Sequence, residues 1–90
     1  MSASKQVART IAERVRERRD ALGLSQDEVA QRLGPKASRV QVSHYECQRR
    51  TPTAAVVRAL AVALRCSADW LLGLTTRVDN PEVSATKPVR

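Results

Sequence analysis

The sequence predicts an all-α fold, a bundle of five short helices followed by a C-terminal extension. Three observations carry that expectation. Apolar residues recur at spacings of three and four along most of the chain. Hydroxyl residues stand where helices would start, and Gly or Pro where they would stop. Strand-like alternation is nearly absent. At 90 residues the chain has the length of one small domain. With no Phe, one Trp and one Tyr, its core must be aliphatic.

The first helix runs from Ser4 to Leu22, with Ala8, Ile11, Val15 and Leu22 on one stripe and Arg and Glu elsewhere. Gly23 stands where a helix C-terminus wants positive φ. Ser25, followed three residues later by Glu28, is a capping box that opens the second helix, and Asp27 and Glu28 suit its positive end. Val29, Ala30 and Leu33 face its interior, and Gly34-Pro35 ends it, since Pro restricts the residue before it. Ser38 is the N-cap of the third helix. Val42 and Tyr45 point inward with help from Ala37, leaving Arg39, Val40, Gln41, Ser43, His44 and Cys47 to other faces. Thr53 follows the Thr51-Pro52 break and caps the most apolar helix, with Val56, Val57, Leu60, Ala61 and Leu64. Ser67, with Asp69 behind it, opens a last short helix carrying Trp70, Leu71 and Leu72 and closed by Gly73. Residues 5–74 thus form the domain. Residues 75–90 contain two prolines and no apolar period, and read as an extension or flexible tail.

Sixteen Lys and Arg against nine Asp and Glu give a net charge of +7. Long-range attraction to phosphate makes such a domain suited to a polyanion. Cys47 and Cys66 lack the close spacing of a disulfide or zinc framework, no secretory leader is recognisable, and no segment is long enough to span a membrane. The chain reads as cytoplasmic with reduced thiols.

The ordered set GLSQDEVAQRLG, VSHYECQRRTP and LAVALRCSADWLLG resembles the Cro/C1-type helix-turn-helix family, also called XRE, of bacterial and phage transcription regulators. The resemblance covers about residues 9–74 and implies a lambda-repressor-like bundle. It makes the helix opening at Ser25-Gln26 the first of the motif and the next one the recognition helix in the DNA major groove. A recognition helix must bury one side and offer donors and acceptors on the other, as the third helix does.

Arg39, Val40 and His44 match the family's base-reading positions, with Gln41 and Ser43 beside them. Arg39 can donate two hydrogen bonds to guanine, Val40 can touch a thymine methyl, and His44 can bond an acceptor or a phosphate. Gln41 suits either adenine or phosphate. Gln26 matches a position used to grip a phosphate, next to the free N–H groups of a helix N-terminus. Ser38, Ser43, Arg49 and Arg50 are assigned to the sugar-phosphate backbone. Arg19 and Glu46 match a structural ion pair of some relatives. Two departures stand out: Gln48 occupies a position that usually holds a small residue such as Gly, and the turn is two residues longer, at Pro35-Lys36. Lys36 is either a further phosphate anchor or an inert surface insertion.

Other functions find little support. Ser43 and His44 are adjacent on a helix and point apart, so they form no nucleophile–base pair, and there is no glycine-rich phosphate loop. His44, Cys47 and Cys66 lack a fourth metal ligand. No enzyme activity, cofactor, metal, membrane contact or small-molecule effector is therefore expected. The expected function is a transcriptional regulator, a repressor, that reads an inverted-repeat operator in double-stranded DNA as a homodimer. Trp70, Leu71, Leu72 and Leu74 are the dimer candidates. The rival reading is the DNA-binding antitoxin of a toxin–antitoxin pair, with the tail holding the protein partner.

Overall fold

A computed structural model of the chain describes residues 3–79. It contains five helices: α1 (Ala3–Ala21), α2 (Gln26–Leu33), α3 (Arg39–Glu46), α4 (Ala54–Ala63) and α5 (Ala68–Leu71), with no strand among the described residues. None of these helices is long and apolar enough to cross a membrane.

The N-termini follow the hydroxyl code. Ser25, Ser38, Thr53 and Ser67 each accept a hydrogen bond from the backbone N–H three residues on, satisfying a donor that the first helical turn leaves free. Ser25 and Glu28 close a full capping box, and the Ser25 N–H holds the Glu28 carboxyl below the usual carboxylate range. The third helix has the same device with a different partner. The Gln41 amide oxygen accepts the Ser38 N–H at 3.1 Å while Ser38 Oγ accepts the Gln41 N–H at 3.3 Å.

The C-termini divide into two kinds. After α1, α3, α4 and α5 the chain turns through a left-handed residue, with crossed backbone bonds such as Leu24 N–H to Arg19 O and Gly23 N–H to Asp20 O, both 3.0 Å. Gly23 and Gly73 fill that position after α1 and α5. After α3 and α4 it is filled by Gln48 (φ 63°) and Arg65 (φ 53°), which pay the steric penalty of a Cβ there. So the departure at Gln48 leaves the turn geometry intact. Helix α2 ends differently, with Gly34 at φ 134°, ψ 174°, leading into the longer turn.

Ile11, Val15, Val29, Val42, Leu60, Leu64 and Leu71 are fully buried and join all five helices in one aliphatic core. Ala12 and Ala63, not on the expected stripes, are buried too. Helix α3 packs against both α1 and α2, so its inner side, Val42 and Tyr45, is clamped while its outer side stays free.

Two expectations need revision. Trp70 (4% exposed) and Leu71 (0%) lie in the core of the single chain, which removes them as dimer candidates; Leu72 is half-buried and Leu74 is 75% exposed. In addition, the chain beyond residue 74 is docked at its start. The Ser67 N–H donates to Val78 O at 2.7 Å, and Val78 packs against the core. Residues 80–90, most of the tail (residues 75–90) that the rival reading gives to a protein partner, lie outside the described residues.

Candidate nucleic-acid interface

The outer side of α3 meets the start of α2 and the loop after α3 around one open depression of about 280 Å³. Gln26, Arg39, Val40, Ser43, His44, Cys47 and Arg49 line it. Six of these seven are residues that the sequence marked for DNA; Cys47 is the addition. Two helices and a loop supply them, and the fold brings them together because α2 and α3 pack directly.

Each contributor has a local cause. Arg39 and Val40 are the first two residues of α3, projected by the Ser38 cap, and both are exposed. Val40 is 55% exposed, which leaves its methyl groups open to a ligand. Ser43 and His44 follow one turn later and are half-buried. Arg49 is aimed by the turn at Gln48, since the Arg49 and Arg50 N–H groups both bond His44 O, at 2.8 and 3.3 Å. Among the described residues, the side chains of Arg39, Arg49 and Arg50 make no hydrogen bond or ion pair within the chain. Their guanidinium donors are available to a ligand.

Behind the depression lies a buried charge network. Arg19 donates from Nε to Glu46 Oε2 at 2.7 Å and from NH2 to Glu46 Oε1 at 3.1 Å, a two-point pair. The side chains are only 15% and 5% exposed. Arg19 also donates to Leu24 O, tying in the α1–α2 turn. The hydrogen bond to Glu46 raises the Arg19 pKa further above its ordinary value against the opposing effect of burial. Gln26 Nε2 donates to the same Glu46 Oε1 at 3.2 Å.

Four expected DNA residues stand apart from this set: Gln41, Lys36, Ser38 and Arg50. Gln41, expected to read bases, has its amide oxygen engaged in the α3 capping box. It lines a separate apolar groove with Lys36, Leu33, Pro35, Tyr45, Val56 and Ala59. An S-x-x-Q spacing was the signal for that cap, the same spacing as Ser25 and Glu28. Ser38 borders a third depression with Asp27, Gln31 and Arg39, at the edge of the main one. Arg50 is exposed in the loop and lines none of these depressions.

A helix-turn-helix family model matches residues 15–71, well over half of the chain. The protein belongs to the Cro/C1-type helix-turn-helix family. Its family and fold are those of DNA-binding transcription regulators and not of enzymes. A solved structure, the P22 c2 repressor protein in complex with synthetic operator 9T in the presence of Tl+, is similar at a TM-score of 0.65 and 32% sequence identity. The match covers 72% of this chain and 96% of that one. No curated protein matches significantly in sequence.

Proposed function

We propose that this helix-turn-helix protein is a sequence-specific repressor that acts in the cytoplasm and reads an inverted-repeat operator as a homodimer. One observation carries the reading: Arg39, Val40, Ser43 and His44 on α3 share an open surface with Gln26 and Arg49, and both arginine side chains there lack partners in the described chain. Arg39 fits guanine O6 and N7, and Val40 fits a thymine methyl. Gln26 and Arg49 grip phosphates on either side of the inserted helix. Ser38, Ser43 and Arg50 hold the flanking backbone, and Lys36 sits on the longer turn as an outer anchor. Support for duplex DNA also comes from the similarity to a repressor solved with its operator.

Dimerisation falls to the surface at the end of α5, where Leu74 and part of Leu72 remain outside the core. Two such protomers would set their α3 helices roughly 34 Å apart, one turn of B-DNA. Occupancy of a promoter then excludes polymerase.

The surface itself can be mapped without knowing the operator. Titration of ¹⁵N-labelled protein with mixed-sequence duplex at low salt should shift amides at Gln26, Arg39–Cys47 and Arg49 first. Shifts centred on the groove between Leu33 and Ala59, or on α5, would contradict the assignment.

A further inference from the structure

The Glu46 side chain is nearly closed to solvent and does not line the depression, yet one of its oxygens bonds Gln26, which does. Oε1 accepts from Arg19 NH2 at 3.1 Å and from Gln26 Nε2 at 3.2 Å, while Oε2 accepts from Arg19 Nε at 2.7 Å. The geometry points to Arg19 and Glu46 as positioning residues for DNA binding, which hold the Gln26 amide in one orientation before the ligand arrives. This rests on the reading of the α3 surface as a DNA interface.

A carboxylate oxygen accepts and cannot donate, so the Gln26 amide must turn its NH2 group toward Glu46. The flipped amide would set two oxygens against each other with no proton between them. One N–H is thereby committed, and the second N–H and the carbonyl oxygen are left for the depression that Gln26 lines. A glutamine restrained in this way loses less side-chain freedom on binding than a solvated one. Arg19 is needed for a second reason. A bare carboxylate 3.2 Å from a phosphate-gripping amide would repel the phosphate, and the two-point contact with Arg19 neutralises it. The influence therefore passes from Arg19 through Glu46 to Gln26.

The test is a double-mutant cycle on the tightest duplex enriched from a randomised library, at fixed near-physiological salt. In the wild-type background Gln26→Ala should weaken binding roughly tenfold, as expected for loss of a hydrogen bond to a charged group. The second background is Arg19→Met/Glu46→Met, which exchanges the pair for apolar side chains and orphans no buried charge. There Gln26→Ala should cost less than about twofold. Equal losses in both backgrounds would make the ion pair merely structural and overturn the proposal. A second measurement needs no variant: ¹⁵N relaxation of the Gln26 side-chain NH2 should show similar order in the free and bound protein. Ordering only on binding would also overturn it. Arg39→Ala separates the two levels. If it weakens binding while Gln26→Ala does not, the positioning role fails and the interface stands; if neither matters, the interface fails as well.

Discussion

Four arginines of α1 and α2, Arg14, Arg18, Arg19 and Arg32, and those of α3 and its following loop carry the same charge and do opposite work. Arg14 donates to Trp70 O at 2.8 Å and Thr75 O at 3.0 Å, and lies 4.9 Å from the Trp70 ring centroid. Arg18 donates to Leu64 O and Arg65 O, and Arg32 to Ala63 O. Apart from Thr75 O, these carbonyls lie at or just past the C-terminal ends of α4 and α5, where a cation also meets the negative end of the helix dipole. Arg19 is held by Glu46. By contrast, the side chains of Arg39, Arg49 and Arg50 bond nothing within the described chain. A net charge of +7 thus overstates what is offered to DNA. Position decides: an arginine whose side chain reaches a helix C-terminus becomes part of the fold, and one on the outer side of α3 stays available.

Substitutions can break that contrast, and the largest effect belongs to the buried pair. Arg19→Met leaves Glu46 as an unpaired, nearly buried carboxylate and should cost about 3–5 kcal/mol in urea unfolding at neutral pH. Arg39→Ala should leave the urea midpoint unchanged, lower affinity for a selected operator by about 1–3 kcal/mol, and relax preference at one base position. If its stability fell and its base preference held, the division between the two arginine sets would be lost.

Arg18→Ala should behave in the reverse way, losing about 1–2 kcal/mol of stability because two carbonyls at the end of α4 lose their donor. Its base preference, read by selection on the same library, should not change. Arg49→Ala should weaken all duplexes similarly and reduce the slope of log affinity against log salt by about one. The smallest change is Gln48→Gly. Relief of a left-handed residue should raise stability by up to about 1 kcal/mol, measured by thermal unfolding, while the loop arginines keep their aim.

Local signals were legible and tertiary ones were not. The hydroxyl caps at Ser25, Ser38, Thr53 and Ser67 and the glycine stop at Gly23 act through bonds within a few residues, so spacing alone exposes them. The inward side of α3 followed from Val42 and Tyr45, and with it the outward side that carries the candidate interface. The Gln41 cap was equally local and was hidden by the residue's resemblance to a base reader. Arg14 and Arg18 could not be read as carbonyl donors, because their partners lie 46 to 61 residues away in sequence. The same holds for Val78, which looks like part of a tail and packs against the core only where α5 begins. Trp70 and Leu71 looked equally suited to a core and to a dimer contact, since an apolar residue on a short helix does not say which surface covers it.

Selection of bound duplexes from a randomised library at near-physiological salt tests the central claim most directly. A repressor that reads DNA as a homodimer through α3 should enrich an inverted repeat whose half-sites lie about one helical turn apart. Binding with no enriched sequence would show that only the charge is recognised, and would contradict operator reading by Arg39, Val40 and His44.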